Sequence, residues 1–248
     1  MQPADQQKFQ RLIDEGYSFS LGNYISQGFA IFQKQMGLFI GFTFVFLLIS
    51  MVGQFIPIVG PLAMSLFVSP ALICGYYLVA HRIENGETVE FSNFFRGFDY
   101  IGQLALAALV MMLFYIVAMV PFFAVVGFSV FMGDFSNPNF PPWSILLMIP
   151  LFYIAIGYAW TNLFIVFYKM EFWPAMETSR KMITKNFWNI LLFAIVVGLL
   201  AGSGIIALGV GLLATLPIAL CAQYAAFADV TRLKEVENEN EIVDHLVE

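Results

Sequence analysis

Long apolar runs separated by short polar intervals dominate the chain. Four stretches contain no Asp, Glu, Lys or Arg: Gln35 to Ala80, Ile101 to Gly133, Phe135 to Tyr168 and Asn186 to Ala228. A helix that crosses a bilayer needs about 20 mostly apolar residues. The first and last stretches therefore hold two helices each, and the middle two hold one each. Turn chemistry divides the long stretches, with Pro57, Gly60 and Pro61 in the first and Gly204, Gly209 and Gly211 in the last. The pattern predicts an all-α integral membrane fold with six spans, over residues 38–56, 61–80, 101–126, 143–168, 187–206 and 210–228. An N-terminal segment 1–19 precedes the membrane domain 20–230, and a tail 231–248 follows it.

Basic residues close to a span resist translocation, so their placement predicts orientation. All 11 fall on one side of the predicted bundle: Lys8, Arg11, Lys34, Arg82, Arg96, Lys169, Arg180, Lys181, Lys185, Arg232 and Lys234. The opposite loops carry a single charge, Asp134. Both termini are thus expected in the cytoplasm. The first apolar run begins too late for a cleaved signal peptide, and the first span is expected to be retained.

Three units can be superimposed along the chain. Before each odd-numbered span the chain reads apolar, any, basic, any, large apolar: Phe32 to Met36 around Lys34, Phe94 to Phe98 around Arg96, and Ile183 to Phe187 around Lys185. In the even-numbered spans, Pro70, Cys74 and Tyr77 match Pro217, Cys221 and Tyr224, with Gly157, Thr161 and Phe164 as looser counterparts. Each unit begins with a candidate interfacial helix. The third has Ala175, Met176, Ser179, Met182 and Ile183 on one face, Pro174 suited to the first helical position, and a Glu177 to Lys181 pair on the other face. The first has the stripe Leu21, Tyr24, Ile25, Gly28 and Phe32. The second has Phe91, Phe94, Phe95 and Phe98 after a turn at Asn85-Gly86. The predicted arrangement is three hairpin repeats, each preceded by an amphipathic helix on the cytoplasmic side.

Composition agrees with a membrane protein, since 60% of the 248 residues are hydrophobic and only 11% are charged. The net charge of -6 arises largely in the tail. The spans contain no ionisable carboxylate or imidazole near their centres, where proton coupling or intramembrane hydrolysis would place one. With only His81 and His245, no HExxH and no GxSxG, neither a catalytic site, a metal nor a cofactor is expected. Glu84, Glu87, Glu90 and Asp99 near His81 read as a solvated turn. Cys74 and Cys221 read as buried packing. Pro70, Pro121, Pro150 and Pro217 read as kinks that shape the bundle.

Two sets of residues carry the functional expectations. Thr161, Asn162 and Gln223 lie in the inner halves of the fourth and sixth spans, where they either line a polar cleft or join helices by hydrogen bonds. Gly198 and Gly202 have GxxxG spacing, which lets another helix approach, within the chain or in an oligomer.

The six-span layout, with Ala175 to Lys181 running into Asn186 to Ile190, resembles bacterial integral membrane families. The likeness is greatest to the membrane domain fused to some glycerophosphoryl diester phosphodiesterases. The resemblance implies a bacterial inner membrane. The phosphodiesterase domain is absent, and no catalytic residue carries over.

The first functional expectation is a non-enzymatic scaffold or accessory subunit, motivated by wedge-like interfacial helices. Its partners would be membrane lipids and a membrane protein held through those helices or the acidic tail. The alternative is a carrier for a lipid or small amphipathic molecule. An enzyme using Glu84 to Glu90 at the headgroup layer ranks third. Nucleic acid is excluded for lack of a basic patch.

Overall fold

The computed structural model describes residues 3–131, 142–206 and 209–233, which are helical wherever they are regular. Asp134 and residues 234–248 lie outside the described residues. The N-terminal helix α1 is Pro3–Glu15, and α2 is Leu21–Lys34. Six helical stretches are long and apolar enough to cross a membrane: Met36–Gln54, Val59–Glu84, Phe91–Val125, Trp143–Phe167, Phe187–Ile206 and Leu212–Thr231. Their length and composition support an integral, multi-pass membrane protein.

The first span is α3 (Met36–Gln54). The second joins α4 (Val59–Ala63), a π-helical turn Met64–Val68 and α5 (Ser69–Glu84). Pro70 explains the widened turn: its ring cannot fit against the carbonyl four residues back, and the preceding helix opens to accommodate it. The second span outlasts its predicted end at residue 80, because Arg82 and Glu84 do not stop a helix. Asn85 and Gly86, the latter at φ +76°, do. A 3-10 segment Phe91–Tyr100 runs into α6 (Ile101–Phe131). The fourth span comprises a 3-10 segment Pro142–Met148, α7 (Ile149–Gly157) and α8 (Thr161–Phe167). After α9 (Phe172–Lys185) come the fifth and sixth spans, α10 (Phe187–Ile206) and α11 (Leu212–Thr231).

Spans two and six form the centre, with 44% and 56% of their most apolar windows buried, against 17% for α3. The segments read as interfacial helices dock on this inner bundle. Tyr24, Gly28, Ile31 and Phe32 of α2 are buried, and a Cβ on Gly28 would collide with the backbone of Ala222 in α11. A Cβ on Gly75 would meet the Phe94 carbonyl, and one on Gly97 the Ala71 carbonyl, so α5 and the 3-10 segment touch backbone to backbone. The 3-10 segment buries Phe94 and, one turn on, Gly97, while Phe91 and Phe95 stay exposed. Phe42 stacks on Phe94 with ring centroids 4.3 Å apart, which ties α3 to the same segment.

The buried face of α9 is Ala175, Met176, Ser179, Met182 and Ile183, as its spacing predicts. The helix begins at Phe172 with Glu171 as cap, so Pro174 is its third residue and not its first. Glu177 pairs with Lys181 at 3.3 Å and also with Arg180 at 2.8 Å. The arginine hydrogen bond holds the Glu177 carboxyl below the usual range against the opposing effect of burial, with a lesser contribution from Lys181.

Two breaks have the same geometry. Gln35, between α2 and α3, has φ -138° and ψ 44°; Asn186, between α9 and α10, has φ -127° and ψ 42°. Each N–H bonds back three residues, to Phe32 and Ile183, and each carbonyl accepts from the residue four ahead, Phe39 and Ile190. The end of α1 and the chain after it clasp the second break. Lys185 Nζ donates to the Asp14 carbonyl (2.9 Å), Asn186 Nδ2 to the Tyr17 carbonyl (3.2 Å), and the Tyr17 hydroxyl to the Met182 carbonyl (2.7 Å).

Candidate functional site

The fourth span does not run straight through. Its helix stops at Gly157 and restarts at Thr161, with Tyr158 at φ -105°, ψ 10° and Trp160 at φ -95°, ψ 2°. On either side of Ala159, the Tyr158 ring packs on Phe114 of α6 and the Trp160 ring on Phe227 of α11. Irregular backbone at membrane depth is tolerated only where protein satisfies it or a cavity borders it. Both conditions are met. Ser179 of α9 donates its hydroxyl to the Gly157 carbonyl (3.0 Å) and accepts the Trp160 N–H (3.2 Å). Gln223 of α11 donates from Nε2 to the Ala159 carbonyl (3.3 Å), while its Oε1 accepts the Tyr77 hydroxyl (2.8 Å). Two side chains thus stand in for the missing helical bonds, and spans two, four and six meet at this point.

Beside the break lies a cavity of about 250 Å³. Ala159 and Trp160 of the fourth span, Phe193, Ala194 and Gly198 of α10, and Gln223 of α11 are among its walls, which are almost wholly apolar. The ring of Phe19, from the chain between α1 and α2, meets Phe193 edge-on at 5.5 Å.

A second polar cluster sits where spans two and six end on the basic side. Tyr224 donates its hydroxyl to Glu84 (2.8 Å), and its oxygen lies 2.8 Å from His81 Nδ1. With that proton committed to Glu84, Nδ1 of His81 is the donor, and Nε2 is left to accept from Asn85 Nδ2 at 3.2 Å. Tyr24 donates to Asp229 (2.7 Å), and burial, then this bond, push its hydroxyl up to about 12. The other acids of the predicted solvated turn have structural partners. Glu90 caps the 3-10 segment with Asn93, Glu87 faces Arg82 at 3.7 Å, and Asp99 faces Arg96 at 4.0 Å. Among the described residues, no group of three or more His, Cys, Asp or Glu side chains is placed to hold a metal.

The predicted residues are distributed as follows. Gln223 is at the break and in the cavity wall. Thr161 opens α8 but is 3% exposed, and its Oγ1 is buried with no hydrogen-bond partner among the described residues. Asn162 is half-buried and is not among the cavity's walls. Gly198 and Gly202 face open space, since a Cβ on either would meet nothing within 4 Å. Close approach within the chain occurs at Gly28, Gly75 and Gly97 instead. Ser179 and Tyr77 were not picked out as functional. The signal for Ser179 was a lone hydroxyl on an otherwise apolar helix face, and for Tyr77 its match with Tyr224. Cys74 and Cys221 are fully buried.

No protein-family model, no curated protein and no solved structure matches this chain.

Proposed function

We propose that the protein is a non-enzymatic carrier for a lipid or small amphipathic molecule, which it takes up in the cavity beside the broken fourth span. The observation that carries this reading is the coincidence of an interrupted helix with an apolar cavity at membrane depth. Discontinuous spanning helices commonly border transported substrates, because irregular backbone supplies polar groups where an intact helix has none. The chain would sit in a bacterial inner membrane with both termini cytoplasmic, as its basic residues suggest. The likeness to the phosphodiesterase-associated membrane domain belongs to this proposal and supplies no catalytic residue.

The three-hairpin repeat is part of the same reading. It is supported by the matching breaks at Gln35 and Asn186 and by the order of docking: α2 lies on α11, the 3-10 segment on α5, and α9 on α8. Each unit thus rests on the second span of the unit before it, and the first rests on the last.

The test is reconstitution in vesicles. Ala194→Trp, which fills the cavity, is expected to abolish movement of a fluorescent phospholipid between leaflets; movement at the wild-type rate would end the carrier reading.

The second reading is an accessory subunit or scaffold. Docked apolar faces weaken the wedge argument, but the open surface at Gly198 and Gly202 offers a place for a helix of a membrane-protein partner or a second copy. Gly202→Leu should then remove a subunit that co-purifies in mild detergent. Co-purification unaffected by this change would exclude that surface.

A further inference from the structure

We infer that the cavity beside the fourth span takes a lipid by its acyl chain, entering sideways from the bilayer between the small residues of α10, while the headgroup stays outside. This inference deepens the carrier reading and rests on it. Size argues first: about 250 Å³ lies below the roughly 300–1,000 Å³ of pockets that enclose whole drug-sized molecules, so part of a ligand fits and not all of it. Chemistry argues next. Gln223 is the polar side chain in the wall, and both ends of its amide are engaged, Oε1 by Tyr77 and Nε2 by Ala159. A headgroup finds little to bind there, whereas an unsubstituted hydrocarbon chain matches the walls.

The walls come from the fourth, fifth and sixth spans, so the fluid around the cavity is hydrocarbon and not water. A portal exists on α10. Gly198 lies in the wall, is exposed, and would carry a Cβ into open space; Ala194 and Ala201, four before and three after it, are small as well. Ile195 and Leu199 flank this gap and point outward, at 49% and 70% exposure. Ala194, Gly198 and Ala201 thus leave a notch beside the large side chains of Ile195 and Leu199. Lipid tails are as apolar as the cavity walls, so the fit of the chain and not the hydrophobic effect would set selectivity.

Trp160 reports on occupancy. It is 1% exposed, and its ring lies edge-on to Phe227 on the core side while the residue forms part of the cavity wall. Trp143, Trp173 and Trp188 are exposed and would respond to bulk lipid, so they are replaced by Phe to leave Trp160 as the sole tryptophan. The full-length chain is reconstituted in phosphatidylcholine whose chains carry bromine, a contact quencher of indole. Loss of Trp160 emission, restored by Gly198→Phe in the same background, is the expected result. Emission unaffected by brominated chains, or quenching that survives Gly198→Phe, would overturn the inference. Gly198→Phe points into open space and should fold; elution as the same monodisperse species verifies this, and Ala194→Leu serves as a second plug. Phospholipid movement without quenching would sink the acyl-chain site and leave the carrier reading intact, whereas quenching without movement would do the reverse.

Discussion

Tyr77 of the second span donates its hydroxyl to Gln223 of the sixth at 2.8 Å, and one residue further along the sixth span Tyr224 reaches back to Glu84 of the second, also at 2.8 Å. The two central helices exchange tyrosine hydroxyls in opposite directions. One exchange is coupled to the broken fourth span through Gln223, and the other to His81 and the basic-side end of the bundle.

The first exchange should be measurable as a coupling. Polar pairs between spans average about 0.6 kcal/mol and reach about 1.7. A double-mutant cycle of Tyr77→Phe and Gln223→Leu, followed by unfolding in mixed micelles, is expected to give a coupling in that range. Gln223→Leu should be the more costly single change, because it also strips the Ala159 carbonyl of its donor. Strict additivity would contradict the geometry.

Ser179 and Thr161 should behave oppositely although both are buried hydroxyls near the same break. Ser179→Ala leaves the Gly157 carbonyl and the Trp160 N–H without partners, a loss of about 1–3 kcal/mol. Thr161→Val replaces an unpartnered hydroxyl with a methyl of the same shape and is expected to be neutral or stabilising. Thermal unfolding of the two variants decides; destabilisation by Thr161→Val to the same degree as Ser179→Ala would show that the hydroxyl has a use.

Backbone contact at the glycines predicts a third contrast. Gly75→Val and Gly97→Val drive side-chain atoms into carbonyls of Phe94 and Ala71, which belong to helical segments that cannot yield cheaply, and should give aggregated or degraded protein. Gly198→Ala and Gly202→Ala meet no such obstacle and should raise helix stability slightly, by up to about 1 kcal/mol each. Size-exclusion profiles in detergent separate the two pairs, and normal folding of Gly75→Val would refute the close approach.

A depressed Glu177 pKa makes the α9 surface weakly acid-sensitive. Its folded value lies below that of the unfolded chain, so the stabilisation is fully present above the ordinary glutamate range of about 4.3 and fades as pH falls through the depressed value. The side chain is 38% exposed and therefore screened, which limits the effect to under about 1 kcal/mol. Melting curves of wild type and Glu177→Gln should converge below that pH window; a difference that stays constant with pH would point to packing instead.

The spans were legible because about 20 apolar residues without charge have few other uses, and most of their boundaries fell within four residues of the observed helices. The buried face of α9 was legible from spacing alone. The break at residues 157–161 was not. Gly157-Tyr158-Ala159-Trp160 contains neither proline nor charge, and the predicted span 143–168 reads as one apolar helix through it. What stabilises the break is a serine 22 residues away and a glutamine 64 residues away, and no local window contains either relation. Gln223 was visible as an isolated polar residue, but its partner Tyr77 stood out only through its spacing match with Tyr224, which says nothing of a bond between the second and sixth spans. The docked position of α2 was hidden for a similar reason. An amphipathic stripe has the same pattern whether lipid or an alanine-faced helix covers it.

Lys8 in α1 reaches the carbonyl of Arg232 just past α11 at 3.1 Å, so both ends of the described chain arrive together on the face that holds the turn at Gly86. The contact brings α1 and the end of α11 within one hydrogen bond of each other. A circular permutant with its old ends joined and new ends at Gly86 would insert the third span first and the second last, and would still have every helix neighbour available. A permutant that folds would show that the order of membrane insertion and the final arrangement of helices are separable in this fold.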